Sequence, residues 1–189
     1  DSIVHATEAF VAKKTNHMAQ DFARRGFSTV IESLPLLLND LENIELRPNV
    51  MYGAFLSAIA LMNSGTGPAA ALSYPLGVDY GVAHGIGGGI FLPHVVSHNI
   101  NNNFYGYGRL LSKNKIGNKS EQEASMLFLQ NLRHAWKIMQ VPKKISIYGM
   151  KKEGIAKFVD DTMELRGALN QNPVRFYEEE VTETLLKLI

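Results

Sequence analysis

The side chains best suited to chemistry lie at the start of the chain and beyond a glycine-rich segment. Asp1 and His5 are four residues apart, a spacing that places both on one helical face, about one turn apart. His84 follows far downstream. Two histidines and a carboxylate, with coordination positions left open, suit a divalent iron or zinc ion that takes part in a reaction. The Asp/His pair alone also fits a helix-start aspartate and a half-buried structural histidine.

Three further features have more ordinary interpretations. Glu8 could add a ligand, but no HExxH motif surrounds it, and helical carboxylates are usually solvated or paired. His94 and His98 have the spacing of a helical metal pair but sit beside an Asn-rich segment, which favours solvated or supporting roles. The run Gly85–Gly89 lacks the lysine of a P-loop and the spacing of a Rossmann fingerprint, so we interpret it as a place of close helix packing.

Length and composition predict one globular domain with no polyanionic partner. The chain has 189 residues, of which 46% are hydrophobic and 20% charged, and its net charge is +1. No basic stripe with interleaved aromatic residues is present, which argues against nucleic-acid binding. The absence of cysteine excludes disulfides and thiolate metal ligands and is compatible with the cytoplasm, the location we expect.

No segment predicts a membrane span or a secretion signal. The longest strongly apolar stretch, residues 54 to 62, is less than half of the ~20 residues that a spanning helix needs. The N-terminus has no signal-peptide pattern. We therefore expect a soluble protein without a membrane partner.

Helical spacing of apolar residues predicts an all-α fold, a single helical domain over residues 1–189. One predicted helix begins at Asn16, and Pro35 is expected to kink or end it. The others run from Pro48 onward, from the capping-box pair Ser120 and Glu123 to Val141, from Ile155 to Met163, and from Tyr177 to Ile189. The Asn-rich segment 99 to 108 is interpreted as a loop or a broken turn between helices. No strand pattern is visible, and the expected architecture is a bundle of roughly seven to nine helices.

Several short motifs follow one another in a set order: Asp1-xxx-His5-xx-Glu8-Ala9, Asn63-Ser-Gly-Thr-Gly67, Pro75-Leu-Gly77, His84-Gly85, Leu92-Pro93-His94 and, near the end, Asn170-Gln-Asn-Pro173. Together they resemble the C-terminal helical domain of iron-containing, group III alcohol dehydrogenases, which has a dehydroquinate-synthase-like fold. The resemblance runs nearly from end to end of the chain.

The resemblance implies a metal site and a nicotinamide cofactor. In the family, an Asp, a His four residues later and two further histidines hold a divalent metal that polarises the substrate oxygen during hydride transfer with NAD or NADP. Asp1, His5 and His84 match three of these ligands. An N-terminal Rossmann-like domain would precede Asp1 and supply most cofactor contacts. We expect a small alcohol or aldehyde substrate, a homodimeric full-length enzyme, and no activity in the isolated domain.

Two positions depart from the family pattern. The fourth ligand histidine falls on Ala70, and the histidine credited with proton relay falls on Tyr74. Alanine cannot bind a metal, so three protein groups would be completed by solvent or substrate. Tyr74 keeps a hydroxyl that could pass a proton and is our candidate catalytic residue, although a phenol is a poorer base than an imidazole at neutral pH.

These departures leave three functions open. The first is an alcohol dehydrogenase whose roomier pocket takes a polyol or sugar-like substrate. The second is a non-catalytic family member retained as a dimerisation or interaction module. The third is a lyase of the dehydroquinate-synthase type, in which the cofactor is used only transiently.

Overall fold

The protein is a helical bundle without strands, described here for residues 1–189 from a computed structural model. Its ten α-helices are α1 (Ser2–Val11), α2 (His17–Leu37), α3 (Leu46–Met62), α4 (Pro68–Tyr80), α5 (His84–Asn101), α6 (Lys113–Ile116), α7 (Glu121–Ile138), α8 (Ile155–Met163), α9 (Arg166–Leu169) and α10 (Glu178–Leu188). Three short 3-10 helices span Gly106–Leu110, Ser146–Tyr148 and Lys152–Gly154. No helix combines the length and the apolar character that crossing a bilayer requires.

The all-α prediction is confirmed, but the expected helix count was slightly low. The additional helices include α6 and α9, which have four residues each and are too short to show a periodic apolar pattern. The predicted capping box of α7 is present: the Ser120 hydroxyl accepts the Glu123 amide, and the Glu123 carboxylate accepts the Ser120 amide. Local side-chain chemistry therefore defines this helix start.

Pro35 was predicted to kink or end α2. It does not end the helix, which continues to Leu37, since only the last turn lies beyond the missing N–H. The segment 99 to 108 is not one loop: α5 runs through Asn101, and a 3-10 helix begins at Gly106. Asn99 is buried and exchanges hydrogen bonds with Asn172, so the tertiary structure gives this Asn-rich stretch helical order.

Small residues bring the helices that carry the core close together. A Cβ atom on Gly26 of α2 would lie 2.5 Å from the Ser57 Oγ of α3, and one on Gly53 would lie 2.6 Å from Val30. Gly53 and Ser57 of α3 are buried at this contact, whereas Ala58 of the same helix is exposed. The central helix α1 is buried along most of its length and contacts α2, α3, α4 and α5.

The glycine run of α5 draws three helices together, which confirms the packing interpretation. A Cβ atom on Gly85 would lie 2.8 Å from the Asp1 nitrogen, and one on Gly87 would lie 3.1 Å from the Ser73 Cβ of α4. Neither position leaves room for a larger side chain without movement. This contact places His84, the first residue of α5, beside the start of α1.

Candidate metal centre

Three candidate ligands meet where α1 and α5 begin. Asp1, His5 and His84 each offer one potential ligand atom. These three atoms lie within 4.8 Å of one another. The Asp1 Oδ1 is 3.4 Å from the His5 Nε2 and 3.7 Å from the His84 Nε2. Both imidazoles are partly buried, while Asp1 is exposed, so the cluster has one side open to solvent.

The start of α1 presents Asp1 to the histidines. Its carbonyl accepts the His5 amide at 3.0 Å, which sets the one-turn spacing of the two side chains. Its carboxylate makes no capping hydrogen bond to α1, although the residue occupies the N-cap position. The carboxylate is therefore free of the helix-capping role that spacing alone also allowed.

Burial keeps both imidazoles neutral near neutral pH. It lowers the pKa of His5 to about 4 and also lowers the pKa of His84, because a charged ring would lose solvation there. A neutral imidazole has a free lone pair and is the form that binds metals. Both rings can thus act as ligands without first losing a proton.

The donor set suits a small divalent cation. A metal with bonds of about 2.1 Å to nitrogen and oxygen requires donor atoms roughly 3 to 4 Å apart. The two distances to the Asp1 oxygen fall in that range. Two nitrogens and one oxygen leave coordination positions for a substrate, as in catalytic rather than structural sites. The residues present thus fit the metal that the family pattern implies.

Ser73 is part of the site and was missed from the sequence. Its Oγ lies 2.6 Å from the His84 Nδ1 and donates a hydrogen bond to the Ala70 carbonyl at 2.5 Å. The residue is fully buried on α4. A lone serine within an apolar helix has no distinctive spacing, so only the packing of α4 against α5 reveals this contact.

The two departures from the family pattern occupy different environments on α4. Ala70 is 2% exposed, and its amide and carbonyl both take part in hydrogen bonds with other side chains. Tyr74 is 53% exposed, and its ring centroid lies 4.8 Å from that of His84. Tyr74 thus borders the open side of the cluster, next to one of its histidines.

Glu8 has a role that neither sequence interpretation anticipated. It is buried, 4% exposed, and its carboxylate accepts the amides of Gly67, Ala69 and Ala70 and the hydroxyl of Thr66. It therefore caps the start of α4 from the neighbouring helix α1, since Gly67 has no side chain to do so. The sequence did contain one signal for this role: the pair Gly67–Pro68 begins a helix but has no side chain that could cap it.

The other histidines of interest lie apart from the cluster. The His98 Nε2 contacts the Arg175 carbonyl at 2.9 Å, and its ring packs edge-on against Phe176. His94 is partly buried, and burial lowers its pKa. Neither belongs to the group of residues whose ligand atoms converge.

Comparison with known proteins matches the whole chain to one family. The sequence model of the "Fe-containing alcohol dehydrogenase family, C-terminal" covers residues 1–189. The NAD-dependent methanol dehydrogenase of Bacillus methanolicus is 28% identical over 167 residues, which are 87% of this chain and 44% of that protein. The 4-hydroxybutyrate dehydrogenase of Clostridium kluyveri is 28% identical over 196 residues, 100% of this chain and 51% of that protein.

Solved structures show the same fold. A crystal structure of 1,3-propanediol oxidoreductase superposes with a TM-score of 0.90 at 22% identity, over 100% of this chain and 50% of that one. The chain spans about half the length of the relatives that it matches. The family match over all 189 residues, together with the common helical fold, shows that the chain belongs to the iron-containing alcohol dehydrogenase family, in its C-terminal domain.

Proposed function

We propose that this chain is the metal-binding catalytic half of an NAD(P)-dependent alcohol dehydrogenase. The convergence of Asp1, His5 and His84 on one point carries the proposal, since a cluster of two neutral imidazoles and a carboxylate is the donor set that the reaction needs. Family membership supplies the reaction class, oxidation of an alcohol or reduction of an aldehyde.

The three residues would hold a divalent ion, Fe²⁺ or Zn²⁺. When bound, that ion supplies Lewis acidity toward the substrate oxygen. His5 and His84 are the fixed ligands, because they are partly buried, whereas Asp1 lies on the open side. The solvent-facing side is where the substrate oxygen would approach.

Tyr74 is the candidate proton-transfer residue. Its exposed ring borders His84, so its hydroxyl can connect a substrate hydroxyl with solvent. Alanine and tyrosine in place of two histidines leave more room and add a hydroxyl, which is the basis for proposing a polyol or sugar-like substrate. The chemistry of the hydride transfer belongs to the cofactor.

The cofactor would be NAD or NADP, bound by a Rossmann-like domain outside these 189 residues. The relatives are about twice as long as this chain, and the chain contains no Rossmann glycine fingerprint. The full-length enzyme is proposed to be a homodimer. Residues 1–189 alone are proposed to be inactive.

Ala70 favours one alternative, a non-catalytic interaction module. A family member that has lost a ligand and the relay histidine could keep its fold without its reaction. Metal content distinguishes the dehydrogenase from this non-catalytic module. A dehydroquinate-synthase-like lyase differs from the dehydrogenase because it would release no reduced cofactor when given a simple alcohol or polyol.

The test measures bound metal and activity in the full-length protein. The wild type is expected to retain about one equivalent of Zn²⁺ or Fe²⁺ after dialysis and to reduce NAD(P)⁺ with an alcohol or polyol. His84→Ala should lose both properties. His17→Ala is the matched control, because His17 also begins a helix but is exposed and does not belong to the cluster. Equal metal content in wild type and His84→Ala would contradict the proposed site.

A further inference from the structure

The outer side of helix α3 is apolar although it is exposed. Met51 is 73% exposed, Phe55 61% and Met62 85%, and Ala58 between them is exposed as well. These four residues are spaced four, three and four positions apart, so they form one stripe along the helix, here called the α3 stripe. The opposite side of α3 is buried against α1 and α2. The helix is therefore apolar all round.

The α3 stripe has no charged side chain. The single charged residue of α3 is Arg47, in its first turn, and no Asp, Glu, Lys or Arg occurs from residue 48 to residue 78. The exposed sides of α7 and α10 differ, because there glutamates and lysines surround single apolar residues such as Met126 and Leu186. A helix that is apolar all round is normally buried. The α3 stripe therefore has the composition of an interface.

Helix α3 lies alongside the part of α1 that carries the candidate metal ligands. Ala9 lies one turn beyond His5 on the same side of α1, since the two are four residues apart. The Ser64 hydroxyl, two residues after the end of α3, donates to the Ala9 carbonyl at 2.8 Å. Helix α3 therefore borders the side of α1 on which Asp1 and His5 lie.

We propose that the α3 stripe is the docking surface for the N-terminal half of the complete chain. The inference rests on the proposed function, in which that half binds the cofactor. The relatives are about twice as long as this chain, so the complete protein would contain a second body of similar size. To bring the nicotinamide to the metal cluster, that body must lie against the side of α1 that α3 borders.

Two other occupants fit the α3 stripe less well. A second copy of the chain would have to bind from solution, whereas a body in the same polypeptide is present at a high effective concentration. A membrane surface favours helices whose apolar side is flanked by several lysines and arginines. Arg47 is the only such residue in α3.

The methionines of the α3 stripe allow a test without substitution. Hydrogen peroxide oxidises accessible methionines to the sulfoxide, and peptide mass spectrometry measures the rate at each position. Met126 is the matched control, because it is also exposed but lies on α7, whose outer side is charged. In the full-length protein with EDTA, we expect Met51 and Met62 to react about tenfold or more slowly than in urea-unfolded protein, and Met126 to be nearly as reactive as when unfolded.

Phe55→Glu distinguishes the N-terminal half from a second copy. A glutamate covered by a docked body would lose its solvation, so the variant should release that body. We expect Met51 and Met62 of Phe55→Glu to react as fast as Met126, while light scattering gives the molar mass of the wild-type assembly. Leu186→Glu is the control, since Leu186 is also a large exposed apolar residue but lies on α10, and it should behave like the wild type.

Three results would overturn the inference. The first is a wild type in which Met51 and Met62 react as fast as Met126, and it needs no variant. The second is unchanged protection in Phe55→Glu. The third is a lower molar mass of Phe55→Glu, because the stripe would then bind a second copy. Neither measurement depends on metal or activity, so protected methionines in a protein without metal or activity would refute the proposed function alone.

Discussion

Replacing Glu8 with Gln tests whether one buried carboxylate holds the helix that carries Ser73 and Tyr74. Four donors reach its two oxygens: the amides of the first turn of α4 and the Thr66 hydroxyl, at 2.7 to 3.3 Å. Glutamine has nearly the same shape, but one oxygen becomes an NH₂ group. That group cannot accept hydrogen bonds and instead points its own protons at other donors.

The expected loss follows from the number of unpaired donors. Three of the four donors reach the same oxygen, Oε2, so an amide oxygen in that position leaves only the buried Ala69 amide without a partner, at roughly 1 to 3 kcal/mol. Removal of a buried charge offsets part of this cost. We therefore expect Glu8→Gln to lower the free energy of unfolding by about 1 to 2 kcal/mol, or the melting temperature by roughly 2 to 8 °C for a chain of this size.

Urea unfolding at pH 7.5, followed by far-UV circular dichroism, measures this change. Glu183→Gln is the control, since Glu183 is largely exposed and forms only a 3.5 Å surface ion pair with Lys187. Its effect should stay within about 0.5 kcal/mol. If Glu8→Gln were as mild as Glu183→Gln, the carboxylate would not be the cap of α4, and the hydrogen-bond argument would be refuted.

Two further predictions concern metal and cofactor. Ala70→His in the full-length protein should add a ligand and tighten Zn²⁺ binding by about tenfold or more, whereas an unchanged dissociation constant would show that position 70 does not reach the site. Residues 1–189 alone should not enhance NADH fluorescence, and micromolar binding would mean that the helical part has its own nucleotide site.

Much of the fold was predictable because its determinants are local. The apolar spacing from Asn16 onward, the Ser120–Glu123 capping box and the helix from Ile155 to Met163 all depend on residues within a few positions of each other. The predictions were wrong where distant residues intervene. Asn99 lies in a stretch with the composition of a loop, yet its hydrogen bonds with Asn172, 73 positions away, keep it within a helix.

The candidate site likewise has one part that the sequence predicts and one part that only the folded structure shows. The pairing of Asp1 with His5 follows from the sequence, because helix geometry places residues four apart on one face. The residue type of His84 made it a further candidate ligand, and the family resemblance supported that choice, but its meeting with the Asp1–His5 pair and the roles of Glu8 and Ser73 appeared only in the folded structure. Backbone hydrogen bonds determine spacing within a helix, so the sequence alone reveals it. Contacts between side chains of different helices depend on how the whole core packs. The glycines of α5, for example, let α1 and α4 approach. Only the tertiary structure decides such contacts.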